Sequence, residues 1–333
     1  MLADASATLA ATERRPAGPR PGLRVALLGA AAALVVLGFL VVGAFDALAL
    51  LVPMRVERVA AMVLVGVAIA VSTVLFQTVT ENRILTPSIM GFDALYALIQ
   101  TSAVFFLGSG TVNGLAPPLR FAVEVAAMLV FSFLIFRWVF GGARRSLYLV
   151  VLVGIVFGVL FRSLATFMQR VIDPNEYLIV QDRLFASFNA VDPTLLVVCA
   201  AVVAVASAWV WSRRRELDVL ALGRANAVTL GLEHHRSTMA VLLVCALLVS
   251  VSTALVGPIT FFGLLVANLA YLVAGTHRHA YVLPVASLLA VVTLVGGQTI
   301  LEHVFGLDTV LSVIVEFVGG IVFIMLLVRG GRR

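Results

Sequence analysis

The sequence predicts an all-α protein that crosses a membrane about ten times, and three observations carry that expectation. Apolar residues make up 62% of the 333-residue chain and charged residues 12%, with a mean hydropathy of +1.12. A soluble domain holds roughly 45–50% apolar and about 25% charged residues, so no single buried core absorbs this excess. The apolar residues also fall in runs long enough to cross the hydrocarbon layer. Finally, the basic residues punctuate those runs instead of forming a face or stripe.

Taken in order, residues 1–23 read as a disordered basic tail, with Arg14, Arg15, Pro16, Pro19, Arg20 and Pro21. The membrane domain is then 24–333. The run near 25–45 is longer than a signal-peptide core and is expected to stay as an uncleaved first helix. Further runs lie near 57–79, 92–108, 119–140, 145–169, 192–212, 237–256, 258–274, 280–300 and 310–328, the third and eighth being short.

Arginine placement sets the orientation. With the N-terminus inside, seventeen arginines fall in cytoplasmic segments and five (Arg55, Arg58, Arg120, Arg170, Arg183) outside, with Arg162 within a span. The positive-inside rule therefore puts both termini in the cytoplasm, as an even number of spans requires. Thr86-Pro87-Ser88-Ile89-Met90-Gly91 opens the third span and Gly257-Pro258-Ile259-Thr260-Phe261-Phe262-Gly263 the eighth. Breaks at matching places in two halves of opposite orientation fit an inverted repeat of spans 2–5 and 7–10; two ordinary helix starts fit as well.

Several functions are excluded or disfavoured. A pI near 10.1 and a net charge of +6 suggest nucleic acid until the scattered placement of the charges removes that reading. All 23 basic residues are arginine, so the lysine of a phosphate-binding G-x-x-x-x-G-K-[ST] loop is impossible, and any ATP must be hydrolysed by a partner. Cys199 and Cys245 sit in apolar runs without metal or disulfide spacing. His277 and His279 supply two nitrogens, short of the three or four protein ligands zinc usually takes, and read as a solvated loop. His234-His235 reads the same way, and His303 as a loop end. No acid, base and nucleophile set emerges, so neither catalysis nor a cofactor is expected.

The longest polar stretch between spans is 213–236. Leu217, Leu220, Ala221, Leu222, Ala225, Val228, Leu230 and Leu232 alternate there with charged residues, punctuated by Gly223 and Gly231. Two short amphipathic helices at the cytoplasmic surface are expected, resting on lipid headgroups or plugged into a groove of a soluble partner.

Four motifs in order then resemble one family. They are Val65-Gly66, Ala68, Ser72 and Gln77 with Asn82 to Gly91; Leu220-Ala221-Leu222-Gly223, Ala225 and Leu230-Gly231; Val256-Gly257-Pro258-Ile259, Phe261 and Gly263-Leu264; and His277-Arg278 with Pro284. From about residue 50 to its end the chain resembles the permease subunits of ATP-binding-cassette (ABC) importers for iron-siderophores, haem and vitamin B12. The wording from Asn82 to Asp93 resembles the branch serving catecholate and mixed-type siderophores. Departures are Arg83, Ala267-Asn268 and Gln298, where many relatives carry proline, Pro-His and aspartate.

The resemblance implies a bacterial plasma-membrane permease for a ferric siderophore, with haem or cobalamin as alternative cargo; the acids Glu124 and Glu316 within spans keep an ion-coupled secondary transporter as a further alternative. It implies cytoplasmic ATPase subunits, a second and different permease, and an extracytoplasmic substrate-binding protein. Leu217, Leu220, Gly223, Arg224, Ala225, Leu230 and Gly231 would couple to the ATPase. Arg55 and Arg58 would meet acids on the binding protein, the alternative being arginines that snorkel at the membrane boundary. A third basic position of the family is Glu302 here.

Polar residues inside spans complete the expectations. Ser72, Thr73, Gln77, Gln100, Asn268, Gln298 and Thr299 are candidates for lining a passage or for helix–helix hydrogen bonds. Glu316, just before Gly319-Gly320, is a further passage candidate. Glu124 and Arg162 stand at similar distances from the 141–142 turn and are expected to form an ion pair at one depth.

Overall fold

The computed structural model of the chain describes residues 21–41, 48–140, 147–189, 191–304, 314–317, 319–321 and 324–325. Long apolar segments become helices because hydrocarbon offers no partner to a free N–H or C=O. The helices are α1 (Pro21–Val41), α2 (Leu48–Thr80), α3 (Phe92–Gly114), α4 (Pro117–Phe140), α5 (Leu147–Val171) and α6 (Pro174–Leu184). There follow α7 (Pro193–Ser212), α8 (Arg214–Leu220), α9 (Arg224–Thr229), α10 (His234–Val256), α11 (Phe262–Ala274) and α12 (His279–Val304). Among the described residues eight helices are long and apolar enough to span, and α11 is a shorter apolar one.

These helices match the first nine expected spans. Of the tenth, 310–328, residues 314–317, 319–321 and 324–325 are helical and the remainder lies outside the described residues, as do the 141–142 turn and residues 1–20 of the expected tail. Residues 21–23 belong to α1, so that helix starts earlier than expected. The third span runs past residue 108 to Gly114, bending at Gly108, where the backbone leaves helical geometry.

Helix α2 is the most buried span, packed by α10, α12, α11 and α7, while α1 is the least buried and lies against α12. α3 pairs with α5, and α4 with α10. Arg24 Nη1 donates to the Val273 carbonyl at 2.9 Å and fixes the start of α1 beside the end of α11. Helices α8 and α9 lie at one end of the bundle, the coupling end expected from the sequence, and Arg55, Arg58 and α6 at the far end.

The two breaks noted in the sequence meet inside the bundle. After α2, residues Pro87–Met90 form a 3₁₀ turn, and Gly91 adopts φ 86° before α3 starts. A Cβ on Gly91 would sit 2.9 Å from Gly158 Cα, and one on Gly154 2.8 Å from Met90 Cα. Glycine thus answers both the left-handed backbone and the close approach of α5. On the other side Gly257, at φ 99°, ends α10, and residues 258–261 stay non-helical before α11. Helix α6 was not anticipated, although its sequence signal is legible. Asp173 caps it by accepting from Asn175 N at 2.9 Å, and Pro174 occupies the first turn.

The glycine contact generates a prediction. Gly154→Val forces side-chain atoms into the 3₁₀ turn and should cost about 1–3 kcal/mol, read as a lower unfolding temperature in detergent. Gly110→Ala, with nothing within 4 Å of its new Cβ, should leave that temperature unchanged or slightly raised.

Candidate functional site

The coupling end is built around one histidine. Helix α8 presents Asp218, whose Oδ1 accepts from the backbone N of His279 at 2.8 Å and from its ring Nδ1 at 2.7 Å. His279 is buried, and its Nε2 lies 2.7 Å from Thr78 Oγ1 on α2. In the neutral ring Nδ1–H donates to Asp218, and Nε2 competes with the Val74 carbonyl, 2.8 Å from Thr78 Oγ1, for the one hydroxyl proton. Asp218 therefore ties α8 to the first turn of α12 and, through the ring, to α2. This corrects the reading of His279 as a solvated loop residue: the turn after α11 folds it back under α8.

Around this tie opens a hollow of about 1150 Å³, lined among others by Gln77, Glu81, Arg83, Arg214 and Tyr271. Arg83 lies over the Tyr271 ring at 4.6 Å and its Nη2 is 3.1 Å from His277 Nδ1. Its carbonyl accepts from Gln77 Nε2 at 2.7 Å and Asn268 Nδ2 at 3.1 Å.

The 213–236 segment forms the two expected short helices, α8 and α9, but its residues divide. Leu217 and Leu220 are buried against the chain's own bundle, as is Ala227. Amphipathic helices hide their apolar side on whatever lies beneath, and here that is α2 and α12. Leu217 and Leu220 are thus corrected from partner contacts to anchors. Arg224, Ala225, Leu230 and Gly231 are exposed, and the large apolar residues Leu222, Val228 and Leu230 face outward beside them. Gly223 is buried at φ 85°, a Cβ there reaching 3.0 Å from Glu81 Oε2.

At the far end Arg55 and Arg58 are both half-buried. Arg55 Nη1 donates to the Phe39 carbonyl at 2.8 Å, and its guanidinium lies 5.5 Å from the Phe39 ring centre. Arg58 forms an ion pair with Glu302 at 3.3 Å, and Glu302 also accepts from Gln298 Nε2 at 3.0 Å. Gln298 is buried in this cluster, which corrects its assignment as a passage residue.

Glu124 does not pair with Arg162. Its Oε1 accepts from Gln100 Nε2 at 2.7 Å and meets Arg120 Nε at 3.7 Å, while Gln100 Oε1 accepts from Arg183 Nη1 at 3.2 Å. Arg183 also donates to Asn113, and burial followed by the nearby Arg120 charge holds its guanidinium below the ordinary arginine value. Reliance on spacing from the turn is the reason the expectation failed. Spacing fixes position along the helix axis and leaves azimuth open, and α5 turns Arg162 to the outside of the bundle. Gln100, buried as the bridge, is likewise corrected from passage lining to a helix–helix contact.

The two breaks converge on a water-sized polar pocket at the middle of the bundle. Ser72 and Thr73 of α2, Ser88, Asp93, Ser252 and Thr260 are among its lining. Thr260 Oγ1 donates to Glu316 Oε1 at 3.0 Å, so the one acid expected in the last span reaches this junction. Asn268 stands apart, donating to the Leu264 and Arg83 carbonyls. Among the described residues no cluster of three metal-ligating side chains occurs.

With this geometry in place, comparison with known proteins settles the class. A family model described as the FecCD transport family matches residues 41–329. The chain belongs to the FecCD transport family. Within it, the petrobactin import system permease protein YclO of Bacillus subtilis (strain 168) is 47% identical over 280 residues, 84% of this chain and 89% of that protein. The petrobactin import permease FatC of Bacillus anthracis is 37% identical, covering 83% and 78%. The vitamin B12 import permease BtuC of Vibrio parahaemolyticus stands at 26%, covering 84% and 83%. A solved ABC transporter assigned to the metal-chelate type, in an inward-facing conformation, shares the fold with a TM-score of 0.81. It is 20% identical and is matched over 92% of this chain and 99% of its own. The FecCD chain is thus a multi-pass permease subunit of the bacterial cell membrane and not itself an enzyme.

The Glu124 cluster yields a prediction that separates the two geometries. Glu124→Ala leaves the buried Gln100 amide without its acceptor and should cost about 1–3 kcal/mol, whereas Arg162→Gln, touching neither, should leave unfolding in detergent unchanged.

Proposed function

We propose that this chain is the membrane-spanning subunit of an ABC importer for a ferric siderophore. The observation that carries this reading is the 47% identity to a petrobactin import permease over 84% of the chain, against 26% to a vitamin B12 permease. The chain works with ATPase subunits, a substrate-binding protein and a second permease, and that second permease is a different one. Both termini lie in the cytoplasm, in keeping with the excess of arginine on that side. The coupling end then faces the cytoplasm and the far end the outside.

In this arrangement α8 and α9 are the ATPase contact. Leu222, Val228 and Leu230 offer exposed apolar side chains, with Arg224 beside them, while Leu217 and Leu220 hold the platform. The Asp218–His279–Thr78 tie carries displacement of α8 into α2 and α12. Outside, Arg55 and Arg58 keep enough exposure to meet acidic lobes of the binding protein, Arg58 in competition with Glu302.

Three measurements test this reading. Radio-iron-labelled siderophore uptake in membrane vesicles should require ATP and persist when a protonophore collapses the proton gradient; the reverse pattern would sink it. Arg224→Glu should abolish the stimulation of ATP hydrolysis by loaded binding protein, with the permease still inserted. Normal stimulation would leave 213–236 as a segment resting on lipid. Arg55→Gln with Arg58→Gln should slow binding-protein association several-fold at low salt, the difference fading at high salt, because peripheral charges act on encounter.

A further inference from the structure

Helix α5 has one committed face and one bare one. Gly154 and Gly158 lie against Met90 and Gly91, Ala165 is buried, and Gln169 Nε2 donates to Thr101 Oγ1 at 3.0 Å. The other face carries Val159, Arg162, Ser163, Thr166, Phe167 and Arg170, all exposed and together lining a hollow of about 490 Å³. Among the described residues neither arginine makes an ion pair. Towards the coupling end the exposed residues of α5 become apolar, with Leu152, Ile155 and Val156.

Lipid is a poor occupant for this face. Arg162 stands nine residues before Val171, the end of α5, which is about 13 Å along the helix and beyond the reach of one side chain. An arginine left in hydrocarbon near a helix centre costs about 2.5–3.5 kcal/mol. Its face must therefore meet water or protein. Two guanidinium groups and two hydroxyls offer many donors and no anionic acceptor, a set that attracts anions and repels bare metal cations. A ferric catecholate complex is such an anion, because its ligand oxygens carry more negative charge than the iron cancels. It also presents flat rings to Phe167.

We propose that Arg162 and Arg170, with Ser163 and Thr166, form an anion-recognising wall of the translocation passage that contacts the intact, negatively charged ferric chelate. This rests on the ferric-siderophore reading above and adds a charge filter to it. The chelate passes, whereas iron released from it is turned back. The apolar half of the same face lies deeper towards the cytoplasm, so the anion is held at the outer half and released past it.

Cysteine chemistry tests the wall in the complete transporter, reconstituted with its second permease, ATPase and binding protein. Both natural cysteines are buried, and Cys199→Ser with Cys245→Ser supplies the background. Arg162→Cys there should lower uptake of a radio-iron-labelled tris-catecholate complex about tenfold, with stimulated ATP hydrolysis intact. A cationic methanethiosulfonate should restore uptake, an anionic one should not, and the chelate should slow both modifications. A thiol that neither reagent reaches, equal rescue by both, or a complex that no longer co-purifies would overturn the wall and assign the face to subunit contact. Failure of the ferric-chelate reading is seen separately, as no uptake by the unsubstituted transporter. The wall is then read from reagent rates alone. The anionic reagent should outpace the cationic one at the introduced thiol relative to a free thiol, and Arg170→Gln should remove that bias; no bias overturns it.

Discussion

Hydrocarbon accepts no hydrogen bonds, and that constraint organises this molecule. Every segment of irregular backbone inside the membrane must find its partners within protein. The two interruptions, 86–91 and 257–261, meet this demand separately. Ile89 N and Gly91 N donate to the Thr86 and Ser88 carbonyls, Ser187 N to the Val256 carbonyl and Thr260 N to Glu316 Oε1. Both interruptions run to the same place. There the hydroxyls of Ser72, Thr73, Ser252 and Thr260 surround a pocket no larger than a water molecule. Helix α2 is the most buried span because it supplies one wall of that junction and is packed on its remaining sides by α10, α11 and α12. The close contact of Gly91 with Gly158 lets the first interruption reach this depth.

The same constraint explains how charge is handled at the two ends. Glu124 is buried, and Gln100 and Arg120 hold it while Arg183 approaches from the short helix α6. This cluster pins α3, α4 and α6 together at the far end. At the coupling end Asp218 does comparable work through His279, with one carboxylate oxygen receiving both a backbone and a ring proton. Because that oxygen belongs to α8, the surface helix is tied by directional bonds to the most buried span. A partner that presses on α8 and α9 therefore acts on the centre of the bundle and not on a loose loop.

Family membership and geometry inform different questions. The match over 41–329 establishes what kind of subunit this is, and the identity to petrobactin permeases points to its cargo class. Neither says which side chains meet the cargo. Exposure within the single chain narrows that question. Gln100 and Gln298 are buried in clusters of the chain's own side chains, while Arg162 and Arg170 stand exposed on α5. A passage between two permease subunits is lined by what each chain leaves uncovered, so the polar half of α5 becomes its strongest candidate.

The sequence by itself determined the all-α membrane class, the existence and order of nine described spans, the two interruptions and the pair of short helices in 213–236, although α2 starts nine residues before its expected limit and α3 ends six after. These follow from local quantities: run length against bilayer thickness, proline and glycine punctuation, and amphipathic period. Helix α6 was equally local, its Asp173-Pro174 start being an ordinary capping signal. Only the tertiary structure decided which partners polar side chains take. Glu124 and Arg162 stand at similar spacings from Gly142 in the sequence, yet one is buried and the other exposed. Leu217 and Leu220 share a pattern with Leu222 and Leu230, yet the bundle beneath covers only the first pair. His279 reads as loop until α8 folds over it. Spacing along a chain fixes height on a helix, whereas azimuth acquires meaning only when neighbouring helices surround it.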